Sequence, residues 1–205
     1  MAEYTDHSLE FDAESLEAIG KSRANGKSDY IRDGKYLFEV IEHKYFKGDS
    51  GPTFVASLRV IESSPKGDYE LAPFVQGQPH VLKEPRVEVV PNPPGSVIGW
   101  IQLRGKFKSS DGNIKGYALA LAGKKEADVT PQELAEGLKA IISSAQPAKG
   151  VLIEGQTYRQ VTRSGAYQGR MNVYLSFKSV PRGAEDDPRG NHPKQIAARR
   201  KAQGG

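Results

Sequence analysis

Tyr36-Leu37-Phe38-Glu39-Val40-Ile41 alternates from one residue to the next, and the run carries on to Phe46 before meeting Lys47-Gly48-Asp49-Ser50-Gly51-Pro52. A period of two puts successive side chains on opposite faces of a strand, and the Gly, Asp, Ser and Pro cluster supplies turn chemistry. The chain then returns, with Phe54, Ala56, Leu58 and Val60 on one face and Val55, Ser57, Arg59 and Ile61 on the other. The two runs read as a β-hairpin.

Downstream, residues 62–95 hold seven prolines and read as a long insertion with at most one edge strand, Val81 to Val90. Val97 to Phe107 reads as a third strand, in which Val97, Ile101 and Leu103 are expected to face inward and Trp100, Arg104 and Lys106 outward. A helical region follows, first Asn113 to Leu121, then a helix opened by Thr130-Pro131-Gln132-Glu133, which combines a capping box with proline at the first helical position. Leu134, Leu138, Ile141 and Ile142 form its apolar stripe. Val151 to Val161 and Met171 to Val180 read as a second hairpin around the loop 162–169.

Three strands, helices and two more strands match a mainly β fold, the five-stranded Greek-key barrel of the OB type with helices between strands three and four. The expected organisation is an acidic N-terminal extension with a short helix (1–29), the barrel (30–180) and a basic tail without fixed structure (181–205).

Composition narrows the chemistry. The 205-residue chain has no cysteine, which excludes disulfides, thiolate metal sites and cysteine nucleophiles. Its net charge of +4 is unevenly spread, with seven acids against three bases in residues 1–29 and a basic body. The Gly20 to Ser28 stretch has five residues between its glycines where a phosphate-binding P-loop needs four. Gly48-Asp49-Ser50-Gly51-Pro52 lacks the full protease signature, and the four histidines occur singly. The reading is therefore of a protein that is not an enzyme, with no cofactor and no metal. No apolar run is long enough for a membrane span, so no membrane partner and a cytoplasmic location are expected, the host cell's if the protein is phage-encoded.

Proteins that hold single strands need cations tracking phosphates and rings on which bases stack. The sequence offers both. Trp100, Arg104 and Lys106 come from strand three, Tyr158 from strand four, and Tyr174 and Lys178 from strand five. Lys44, Tyr45 and Lys47, with His43, are expected at one hairpin turn, and Arg163, Tyr167 and Arg170 at the other. In an OB barrel these two loops flank the binding face.

Several segments add a resemblance. Tyr30-Ile31-Arg32-Asp33-Gly34-Lys35-Tyr36, Lys47 to Val55 and Val60-Ile61-Glu62-Ser63-Ser64 are similar to the opening of bacteriophage OB-fold single-stranded DNA-binding proteins. Gly112 to Gly123 resembles that family's helix, and Gly150 to Glu154 with Thr162 to Tyr167 its last hairpin. The resemblance spans roughly residues 30–180. It implies protection of single-stranded DNA in replication or recombination, with RNA as the other ligand to test, and replication or recombination proteins or further copies of the chain as partners. Many such proteins end in an acidic tail that recruits replication partners; this chain ends in Ala197 to Gly205, which is basic and suited to phosphate contacts. The rival reading is a phage structural or assembly protein, a small β-barrel with extended arms.

Overall fold

A computed structural model describes residues 30–48, 51–104 and 109–204. The expected N-terminal extension and its helix lie outside the described residues. Five strands form one antiparallel sheet: β1 (Lys35–Gly48), β2 (Gly51–Ser64), β3 (Val97–Leu103), β4 (Leu152–Val161) and β5 (Met171–Ser179). Helices α1 (Ser109–Ala122) and α2 (Pro131–Ile141) separate β3 from β4, and α3 (Pro193–Gln203) follows β5. The strand order is β3-β2-β1-β4-β5, so β1 joins the two hairpins.

The alternation of β1 and β2 buries the expected faces, Tyr36, Phe38 and Val40 against Phe54, Ala56, Leu58 and Val60. Val40 faces Leu58 and Glu42 faces Ser57, leaving Ile41 as an extra residue in β1. This bulge shifts the phase by one, so that His43 joins the inner face opposite Ala56. Gly155 of β4 lets the Phe38 ring cross it closely: a Cβ there would lie 2.5 Å from Phe38 Cε2.

β3 corrects the expected facing. Ile98 and Trp100 are buried, whereas Val97 and Ile101 are exposed, Ile101 to 56%. The run Val97-Ile98-Gly99-Trp100-Ile101-Gln102-Leu103 is apolar on both faces, so alternation alone leaves its phase open. Pairing settles it. Trp100 lies opposite Ala56, whose small side chain leaves room for the indole on the inner face, and Trp100 has far more apolar surface to bury than Val97 or Ile101.

α1 is longer than the expected Asn113 to Leu121 and packs mainly against β5, with further contacts to β3 and β4. α2 opens as its sequence dictates: Glu133 N–H donates to Thr130 Oγ1 (3.2 Å), and Thr130 N–H to Glu133 Oε2 (2.8 Å). Tyr117 of α1 is completely buried, its ring centroid 5.0 Å from that of Trp100 and 4.8 Å from that of Phe177.

The segment after β5, expected to lack fixed structure, is docked on the sheet. Asn191 accepts from Leu152 N–H and donates to Leu152 C=O, both at 2.7 Å, as a strand neighbour would. Arg199 donates to the carbonyls of Gly150, Pro188 and Gly190, Arg200 to those of Lys149 and Pro147, and Gln203 to Val40 C=O. The segment carries no apolar stripe because it is held by side chains on backbone carbonyls, a pattern that hydrophobic period does not register. Residues 65–95 form no strand; isolated bridges pair Tyr69 with Glu88 and Leu71 with Leu82.

His43 Nε2 lies 2.7 Å from Tyr117 Oη, and its Nδ1 has no partner. Burial pushes the imidazole down from 6.5 to about 4, with the Glu42 carboxylate opposing more weakly. Neutral His43 therefore stabilises the fold above pH 6.5, and this contribution is lost as pH falls toward 4, by about 3 kcal/mol. Urea unfolding between pH 7 and pH 4 should show the wild type losing that much more stability than His43→Gln; equal losses would contradict the assignment.

Candidate nucleic-acid interface

The sequence-predicted residues fall into two exposed groups, and β1 and β4 set their places. These strands run antiparallel, Lys35 opposite Gln156 and Glu39 opposite Leu152. The β4–β5 turn therefore lies beyond the Lys35 end of β1, and the β1–β2 turn at the opposite end. The two groups sit at opposite ends of the strands.

The first group is built on β4 and β5. Inner Thr157 and Leu175 are buried, so Tyr158 and Tyr174, paired in the next register position, face outward. Their rings stack, with centroids 5.6 Å apart and planes at 23°, and Tyr158 is 40% exposed. Polar pairs flank them, Gln156 with Ser176 and Gln160 with Asn172. Ser176 Oγ donates to Gln156 C=O (3.0 Å) and Asn172 Nδ2 to Thr162 Oγ1 (2.8 Å), which fixes both side chains. The turn beyond β4 is closed by Thr162 N–H to Arg170 C=O (2.8 Å) and Gly169 N–H to Thr162 C=O (2.9 Å). Gly165 and Gly169 take positive φ, which glycine adopts without strain. On this turn Arg163 is exposed, Tyr167 is 59% exposed, and the Arg170 guanidinium lies 5.6 Å from the Tyr167 ring centroid.

The proline-rich insertion buttresses this hairpin. His80 Nδ1 accepts Met171 N–H (3.1 Å) while its Nε2 lies 2.7 Å from Ala72 C=O, which requires the neutral tautomer protonated at Nε2. Arg159, which binds buried Asp33 through two nitrogens, also donates to Tyr69 C=O, and Lys66 Nζ donates to Thr157 C=O (2.7 Å). The long loop is thus tied to the hairpin at three points.

The second group lies at the β1–β2 end. His43, Lys44, Tyr45 and Lys47 belong to the strand and not to a turn, because β1 runs on to Gly48. His43 points into the core. Lys44, ion-paired to Glu42 (2.9 Å), faces outward opposite Val55, and Val55 in turn opposes Ile101. Tyr45 sits at the rim, its hydroxyl accepting from Arg104 Nη1 (3.3 Å). Arg104 Nε donates to Asp111 Oδ1 (2.6 Å), and these hydrogen bonds, Asp111 first, hold the guanidinium charged.

Three predicted members stand apart. Trp100, 8% exposed, belongs to the core and is corrected from platform to packing. Lys178 faces outward opposite Glu154, four register pairs beyond Tyr174, in a groove that also holds Lys35 and the Glu62–Arg189 ion pair. Lys106 lies outside the described residues. Sequence reading missed Phe46, 49% exposed between Tyr45 and Lys47. The Lys44-Tyr45-Phe46-Lys47 run was its signal, hidden by assigning those residues to a turn.

Among the described residues no cluster of His, Asp or Glu could hold a metal ion, and no helix is long and apolar enough to cross a membrane. The chain matches no protein-family model and no curated protein.

Trp100→Ala should cost about 3–5 kcal/mol of stability, the range for emptying a large aromatic site in a core. A double-mutant cycle on Tyr158 and Tyr174 should return a coupling of about 0.5–1.5 kcal/mol for the stacked rings. A coupling near zero would mean that the rings do not stack in solution.

Proposed function

We propose that this protein is a single-stranded DNA-binding protein on an OB-type barrel. The observation that carries the reading is the outer face of the last hairpin, where the stacked Tyr158–Tyr174 pair leads into a turn presenting Tyr167, Arg163 and Arg170. Rings on a rigid strand pair stack bases without reading their edges, and arginines beside them neutralise phosphates. Lys44, Phe46, Lys47 and Arg104 supply the same chemistry at the other end of the sheet. Neither group needs a cofactor or a catalytic constellation, and the protein is read as a binder, not an enzyme.

The barrel reading is supported by the strand order and by the position of the helices between β3 and β4. No ladder joins the sheet edges β3 and β5 among the described residues, but Trp100 and Phe177 meet across the gap, ring centroids 5.0 Å apart. That contact favours a sheet curled nearly closed. The resemblance of residues 30–180 to phage single-stranded DNA-binding proteins points the same way. On this reading the protein is phage-encoded and acts in the host cytoplasm to protect single strands in replication or recombination. The docked C-terminal segment spends Arg199 and Arg200 on backbone carbonyls, so the phosphate contacts are assigned to the two strand-end groups instead of the tail.

Labelled oligo-dT, oligo-U and duplex DNA titrated at two salt concentrations test the proposal. Oligo-dT should bind more tightly than duplex and weaken as salt rises, because phosphate contacts release counterions. Tyr158→Ala or Tyr167→Ala should cost about 1–3 kcal/mol with little change in the salt slope, whereas Arg163→Ala or Arg170→Ala should lower the slope by about 0.7. No salt-sensitive binding to any single strand would sink the reading and leave a structural or assembly role.

A further inference from the structure

Helix α2 presents Leu134, Leu138, Ile141 and Ile142 toward the body, yet none of its residues is fully buried. Between α2, the first turns of α1 and the end of the β1–β2 hairpin lies an open trough of about 570 Å³. Its floor is apolar, formed by Phe54, Ile114, Leu138 and Ile142, and the Tyr45 ring stands beside it. Its charged groups are Arg104, paired with the single lining carboxylate Asp111 at 2.6 Å, Lys115, paired with Glu126 outside the lining, and Lys139. The excess is therefore positive, around an apolar well within the size range of small-ligand sites.

We propose that this trough takes one unstacked nucleotide of the bound single strand, its base against Tyr45 and the apolar floor and its phosphate against Arg104 and Lys139. The inference rests on the single-stranded DNA reading and specifies a subsite within it. Two features select a nucleotide over a purely apolar occupant. Arg104 reaches Asp111 through Nε and Tyr45 through Nη1, so its Nη2 hydrogens stay directed elsewhere in a fixed guanidinium plane suited to phosphate. Tyr45 is continuous in the chain with Lys44, Phe46 and Lys47, so a strand crossing that end of the sheet passes the mouth of the trough. The base would also cover apolar surface that the loosely seated α2 leaves open.

The test uses ¹⁵N-labelled full chain titrated with dTMP and with oligo-dT, alongside oligo-dT affinities for two variants. Ala135→Trp places a large ring in the trough from an exposed helix position, and Lys139→Glu reverses the charge at its edge without filling it. With wild type, both ligands should shift the amides of residues 111–115 and 134–139. Each variant should bind oligo-dT roughly tenfold more weakly, the equivalent of losing one base site. Oligo-dT binding with those amides undisturbed and both variants at full affinity overturns the trough while leaving the DNA reading intact. Failure of wild type to bind oligo-dT at all overturns both. Trough amides that respond to an apolar peptide and not to dTMP overturn the nucleotide assignment in favour of a protein partner.

Discussion

The Tyr117 ring is what allows an open sheet to have an interior. β3 and β5 are the two edges of the strand order, and no hydrogen-bonded ladder joins them among the described residues. Tyr117, carried on α1, lies against Trp100 of β3, Phe177 of β5 and Phe54 of β2, and its hydroxyl meets His43 of β1. One buried side chain thus contacts four of the five strands. The apolar area of these rings and their edge-to-face or tilted packing do the closing that backbone hydrogen bonds do elsewhere in the sheet. Burial also holds the Tyr117 hydroxyl protonated by raising its pKa, and its polar partner among the described residues is an imidazole that burial keeps neutral.

Around this core, irregular segments are fastened by side-chain amides that imitate strand backbone. Gln146 takes up both His43 N–H (2.7 Å) and His43 C=O (2.9 Å) where β1 runs on beyond its pairing with β4. Asn191 does the same for Leu152, and Asn92 accepts from Arg32 N–H (2.8 Å) while donating to Tyr30 C=O (3.1 Å). Each pairs backbone groups at partly buried positions that would otherwise lack a protein partner. The same economy orders the end of the chain. Leu37 and Glu39 point outward from β1 yet are buried, with Arg189 and the segment after β5 beside Leu37 and Arg199 near enough to Glu39 to feel its charge.

The legible parts of the sequence were those in which one physical rule acts alone. Strict alternation gave β1 and β2 their faces, and the Thr130–Glu133 capping box placed the start of α2. β3 was not legible because both of its faces are apolar and only the small Ala56 across the ladder selects Trp100 as the inward residue. The bulge at Ile41 turned His43 inward, an effect that no single-residue preference announces. The docking of α3 went unread because amide and guanidinium contacts to carbonyls leave no hydrophobic period. Of the candidate site, the β4–β5 rings and turn cations come together as their alternation implied, while Trp100 left the surface and Phe46 joined it.

The proposed division of labour assigns Trp100 to the core and the outward tyrosines to the ligand. Photo-cross-linking of bromodeoxyuridine-substituted oligo-dT, with the adducts located by peptide sequencing, tests it at the level of single residues. The account predicts adducts on Tyr158, Tyr167 or Tyr174 and on the Lys44–Lys47 segment, with Trp100 unmodified. Adducts confined to Pro193–Gln203, or a dominant adduct on Trp100, would contradict it.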